Sequence, residues 1–222
     1  MHIEPGLVEA GKIGLSYLTT AGVGAYGLKL IGQDLHERGA VSLLARIAAT
    51  TALVFSFFEV LPHHPVGVSE VHLILGSMLF LLFGAAPAAA GLALGLLLQG
   101  MFFAPMDLPQ YGMNVTTLLA PLFVVTVLAK RIIASKTPYV ELSYRQVLML
   151  STTYQAGIVT WVAFWAFYGQ GLTLESVAKV MTFGGAYMTV IVVEPLVDLG
   201  VLALAKLANG GLLFERRLHQ AG

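Results

Sequence analysis

The chain has 222 residues, of which 57% are hydrophobic and 11% charged, with a mean hydropathy of +0.82; typical soluble domains are about 45–50% apolar and about 25% charged. These proportions exclude a soluble globular domain, a disordered chain and a secreted disulfide scaffold, and they indicate a polytopic membrane protein. Twelve Lys and Arg balance twelve Asp and Glu, and Cys is absent, so no nucleic acid or other polyanionic partner is implied and disulfides, thiolate ligands and Cys nucleophiles are ruled out.

A spanning helix needs about 20 apolar residues, so about seven helices fit and leave about 80 residues for loops and ends. No room remains for a separate nucleotide-binding or soluble catalytic domain. In chain order, apolar segments cover about 8–31, 40–61, 71–83, 87–104, 113–133, 145–168 and 177–207. The expectation is one all-α transmembrane domain over 1–222, with about seven spans. The start, MHIEPGLVEAG, lacks the basic region, apolar run and cleavage site of a signal peptide, so the translated N-terminus is expected to be the mature one.

Small residues recur four apart at Ser16, Thr20 and Gly24, and again at Gly91 and Gly95, a spacing that lets helix backbones approach closely in lipid. Packing within this chain is the plainer reading, and docking of another membrane subunit is the other. With seven spans, Lys29, Arg38, Arg46, Lys130, Arg131, Lys136, Arg145, Lys206, Arg216 and Arg217 share one side, while Lys12 and Lys179 take the other. Excess Lys and Arg marks the cytoplasm, so the N-terminus is expected outside and the C-terminus inside. Trp161, Trp165 and Tyr168 then read as an interfacial belt. His2, His63, His64 and His72 fall on or near the outer face.

The first candidate site is the N-terminus. The Met1 α-amine, the His2 backbone amide and the His2 imidazole can wrap one metal ion in two fused chelate rings, and planar nitrogen donors suit Ni(II) or Cu(II). The second is LPHHPVGVSEVHLILGS, residues 61–77, with His63, His64, Glu70 and His72. Its following helix is short: 13 residues rise about 20 Å, against about 30 Å of hydrocarbon. Pro62, Pro65 and Gly67 favour a preceding loop that dips inward, which survives only when packed in protein or lining a polar cavity. His72 would lie at the floor of an outward pocket, as a ligand or as a satisfied structural histidine. His63 and His64 read as a solvated loop pair or as additional metal ligands. The third is APMDLPQYGMN, residues 104–114, where Asp107, Gln110 and Asn114 can orient ligands by hydrogen bonds or cap a helix start; Gly112 and Glu70 join this supporting set.

Glu194 and Asp198 lie one turn apart around Pro195 and read as structural acids that can pair with Arg46 or Lys29, with a proton or ion relay as the other reading. GxxxxGK[ST], HExxH and GxSxG are all missing, so no catalytic residue, no catalytic cofactor and no enzyme activity is expected. An intramembrane hydrolase using His63, His64 or His72 with Glu70 or Asp107 lacks any recognised motif.

MHIEPG at the N-terminus, SEVHLILGS at 69–77 and YGMNV at 111–115 together make the whole chain resemble the CbiM/NikM family, the cobalt/nickel-specific substrate-binding component of energy-coupling-factor (ECF) ABC transporters. Its members begin MHI-x-x-G, carry a Ser/Thr-x-x-His-Leu element before a short helix, and have a Leu-Gly-Ala-Asn element two segments later. The resemblance implies ion ligands at Met1, His2 and His72, with Asn114 supporting a folded-in N-terminus. It also implies a membrane coupling subunit and cytosolic ATPases as partners, in a bacterial inner membrane. Three positions depart from the pattern: Thr117 stands where a second Asn is usual, Tyr111 replaces Leu, and His63-His64 enters a loop often free of histidine. The reading is therefore an uptake component for Ni²⁺ or Co²⁺. A membrane component binding an organic micronutrient on a similar scaffold is the alternative; it requires the histidines merely to line a polar pocket.

Overall fold

The computed structural model describes residues 3–61, 63–135 and 137–207. Among these, seven α-helices form: α1 (Gly14–Arg38), α2 (Ala40–Glu59), α3 (Gly76–Phe83), α4 (Ala85–Phe102), α5 (Tyr111–Ile132), α6 (Tyr144–Gln170) and α7 (Leu174–Leu207). A two-stranded antiparallel hairpin, β1 (His64–Val66) and β2 (Ser69–Val71), is inserted between α2 and α3.

Among the described residues, five helical stretches are long and apolar enough to cross a membrane: Ala40–Glu59, Ala85–Phe102, Pro105–Ile132, Tyr144–Gln170 and Leu174–Lys206. The other two expected spans differ. The 25 residues of α1 rise about 37 Å, enough to cross. Its composition is more polar, however, because Ser16, Thr19 and Thr20 pack inward and Lys29, Asp34, Glu37 and Arg38 fill its second half. The 8 residues of α3 rise only about 12 Å, so the 71–83 segment does not span as a helix. Its first part is instead the end of β2 and an irregular stretch, with His72, Ile74 and Leu75 buried.

Two glycines make the sharpest helix-to-helix joints. Gly39 (φ 78°, ψ 163°) alone separates α1 from α2, and Gly84 (φ 94°, ψ 166°) alone separates α3 from α4. This backbone region is essentially closed to residues with a Cβ. The α3 end is also held electrostatically. Arg46 donates to the Phe83 carbonyl at 2.7 Å and pairs with Asp34 at 2.5 Å, placing a cation at a helix C-terminus where the dipole favours it.

Gly91, Gly95, Ser16 and Thr20 serve internal packing, while a Cβ on Gly24 would meet nothing within 4 Å. A Cβ on Gly95 would meet Val54 of α2 at 2.6 Å, and one on Gly91 would run into Thr50. Thr50 in turn donates across the gap to the Pro87 carbonyl at 2.8 Å. On α1, Thr20 donates to the Gly112 carbonyl of α5 at 2.7 Å, and Thr19 shares a 3.0 Å hydrogen bond with Thr116. Trp165 also departs from expectation. It is fully buried among Trp161, Phe164 and Tyr168 rather than facing an interface. Its side of α6 faces the bundle.

Gly84→Ala should destabilise the protein by about 1–3 kcal/mol through backbone strain alone. Gly22→Ala, where an added Cβ meets nothing within 4 Å, should not. Thermal unfolding of the two detergent-solubilised variants checks the difference.

Candidate metal-capture site

The hairpin exists because Gly67 adopts φ 66° at its turn and has no side chain. A Cβ there would meet the Lys179 carbonyl of α7 at 2.6 Å, so the turn lies directly on α7. Val68 beside it is fully buried. The register pairs His64 with Val71, Pro65 with Glu70 and Val66 with Ser69.

The N-terminal segment joins the free edge of β2. Ile3 forms an antiparallel bridge with Ser69, and the Glu4 N–H donates to the Val68 carbonyl at 3.2 Å. Ile3 is 0% exposed, and its N–H donates to Asn114 Oδ1 of α5 at 2.9 Å. A backbone N–H buried this deeply needs an acceptor, and Asn114 supplies it from the first turn of α5. The Asn114 Nδ2 is buried and has no hydrogen-bond partner among the described residues.

The following residues seal the same end. Leu7 and Val8 are buried, and the Leu7 carbonyl presses on Gly169, where a Cβ would clash. Lys12 donates to the carbonyls of Tyr168 at 3.2 Å and Gly169 at 3.1 Å. These are carbonyls left open by the end of α6, where a cation is favoured.

His72 follows β2 directly. It is 2% exposed, and its ring meets Phe58 edge-on at 4.7 Å between centroids. Ile3, Ser69, Asn114 and His72 thus converge on one end of the bundle, built from the N-terminal segment, β2 and α5. Met1 and His2 lie outside the described residues. Among the described residues, no group of three or more His, Asp or Glu side chains stands close enough to hold a metal ion.

The other expected site residues fall as follows. His64 is exposed on β1, and His63 places Nδ1 3.2 Å from the Leu61 carbonyl of its own loop. Glu70 lies on β2 near Glu4. Burial and the neighbouring Glu70 charge, in that order, raise the Glu4 carboxyl above its ordinary value. Asp107 lies on the short 3-10 turn Pro105–Gln110 ahead of α5. Gly112 faces α1, where a Cβ would meet Ser16 Oγ at 3.0 Å and Thr20 Oγ1 at 3.1 Å; its place is a helix contact. Tyr111 ties α5 to α4 by donating to the Ala93 carbonyl at 2.9 Å, and Thr117 donates back to Met113 in its own helix at 2.8 Å.

Glu194 and Asp198 do not pair with Arg46 or Lys29. Glu194 accepts the Ile74 N–H and the Gln155 side-chain amide, while Asp198 accepts Ser77 Oγ at 2.7 Å. Arg46 is taken by Asp34. Sequence reasoning missed this clasp because its partners are backbone groups of an irregular stretch, which no side-chain charge pattern announces.

The model of the family described as "Cobalt uptake substrate-specific transmembrane region", CbiM, matches residues 2–209. The chain belongs to the CbiM family. It is a multi-pass membrane protein of metal uptake, and its family is a transporter component rather than an enzyme class. Two solved structures share its fold. One, a transition metal transporter, superimposes with a TM-score of 0.69 at 19% identity, covering 96% of each chain. The other, a truncated transition metal transporter, gives 0.62 at 17% identity, covering 92% of this chain and 95% of that one. No curated relative matches the chain.

Asn114→Ala should leave the Ile3 N–H buried without its acceptor and cost about 1–3 kcal/mol. Asn114→Asp keeps the oxygen and should cost less. Thermal unfolding of both variants, with limited proteolysis of the N-terminal segment, reads the outcome.

Proposed function

We propose that this CbiM-family chain captures Ni²⁺ or Co²⁺ at the outer face of a bacterial inner membrane. The N-terminus lies outside and the C-terminus in the cytoplasm. The Met1 α-amine, the His2 amide nitrogen and the His2 imidazole supply three donors from a segment of about eight residues, and His72 supplies the fourth. Four nitrogens with one deprotonated amide make a planar field that suits Ni²⁺. The metal ion is the cargo, and energy comes from partners: a membrane coupling subunit and cytosolic ATPases of an ECF transporter.

The observation that carries this reading is the antiparallel bridge between Ile3 and Ser69, with the Ile3 N–H held by Asn114. In an antiparallel pair, the direction from Ile3 to the N-terminus is the direction from Ser69 to His72. Pairing in that sense supports a chelate that draws on the residues ahead of Ile3 together with His72, the one deeply buried histidine among the described residues. Ile3 and His72 are both buried, and donors held between such groups exclude competing water ligands. The Glu4 and Glu70 carboxylates beside it add negative charge that attracts a divalent cation.

Calorimetric titration of Ni²⁺ and Co²⁺ tests the chelate. Protein with its native N-terminus should bind close to one ion per chain. Extra residues ahead of Met1 convert the amine to an amide, and that variant should lose at least about 1.4 kcal/mol, a factor of ten. His72→Ala should weaken binding similarly. Equal binding by the native and extended proteins would remove the N-terminus from the site.

A further inference from the structure

Residues 72–75 leave the strand without entering a helix, inside a packed apolar bundle. Leu75 sits at φ 55°, ψ 32°, the one positive φ at a non-glycine residue among the described residues. A bulky side chain in that region persists only where its surroundings over-determine it. The determinant is a chain of side chains from two other helices. Glu194 of α7 accepts the Ile74 N–H, next to Leu75. Its other oxygen accepts the Gln155 amide of α6, and Gln155 Oε1 in turn accepts Tyr187 Oη of α7 at 2.7 Å. Glu194, Gln155 and Tyr187 are all fully buried. One turn along α7, Asp198 holds Ser77 in the first turn of α3.

The chemistry explains why an acid stands here. Every partner of Glu194 is an N–H donor, and a carboxylate offers two accepting oxygens and no donor. It also lies at the N-terminal end of α3, where open N–H groups and the helix dipole favour negative charge. Ile74 is two residues beyond His72, so the clasp fixes the backbone that carries the histidine.

We infer that Glu194 is a positioning residue for metal capture: through the Ile74–Leu75 backbone it sets the direction in which His72 is presented. This rests on the reading of His72 as a metal ligand. Glu194 touches no metal ion itself. It acts as the groups behind metal-ligating histidines do, but through the main chain.

The test uses the full chain with its native N-terminus, titrated with Ni²⁺ by calorimetry and read by the visible absorption of the bound ion. Glu194→Leu should weaken binding by at least about tenfold, within the range seen when ligand-orienting groups are lost, and shift the absorption toward that of His72→Ala. Glu194→Gln keeps one oxygen for Ile74, and Gln155 can rotate its amide to match, so affinity and absorption should return to wild type. Ser77→Ala cuts the neighbouring Asp198 contact on the same segment and should leave the absorption unchanged, which separates positioning from general loosening. Wild-type affinity and absorption in Glu194→Leu, with binding lost in His72→Ala, would overturn the positioning role alone. Unchanged binding in His72→Ala would overturn the site and the positioning role together. If Glu194→Leu does not fold, Glu194→Asp decides, because it draws the acceptor back by one methylene. Weakened binding with a shifted absorption supports the inference, and wild-type values overturn it.

Discussion

The architecture depends on one constraint. Backbone N–H and C=O groups in an apolar bundle must be satisfied inside the protein. Helices meet this by themselves, and the stretch from His72 to Leu75 does not. Within it the Ile74 N–H is met by Glu194, and Ser77 just beyond is met by Asp198. Four of the neighbouring features follow from that stretch being irregular: α3 is short, the hairpin ends against α7, His72 is buried beside Phe58, and α7 carries Glu194 and Asp198 within its apolar second half.

The same constraint shapes the N-terminus. Ile3 and Glu4, packed against the bundle, bring backbone groups that need partners, and the free edge of β2 together with Asn114 satisfies them. An extended segment paired to a sheet edge is positioned by direction as well as by distance. That is why a two-stranded hairpin of three residues per strand matters in a helical protein. It fixes Ile3 and Glu4 beside the strand that leads to His72.

Much of this was legible in the sequence. Five of the apolar runs are long helices apolar enough to span, and the shortness of segment 71–83 together with Pro65 and Gly67 pointed to irregular backbone ahead of α3. Asn114 was singled out, and it contacts the N-terminal segment. The misses share a cause: they concern which way a helix faces. Trp165 reads as a belt residue by type but points inward. Glu194 and Asp198 were assigned to cationic side chains because charge complementarity is visible in a sequence. Amides of a non-helical stretch on another segment are not. The polar face of α1 is hidden in the sequence for the same reason, since Thr19 and Thr20 bond to α5.

The central claim is that the chain's N-terminus and His72 bind a single ion. X-ray absorption at the nickel edge of the Ni²⁺-loaded protein with its native N-terminus tests it most directly. The account predicts a planar four-nitrogen environment in the wild type that changes in His72→Ala and in a protein extended ahead of Met1. A six-coordinate environment of mixed oxygen and nitrogen donors, unaltered by either change, would contradict it.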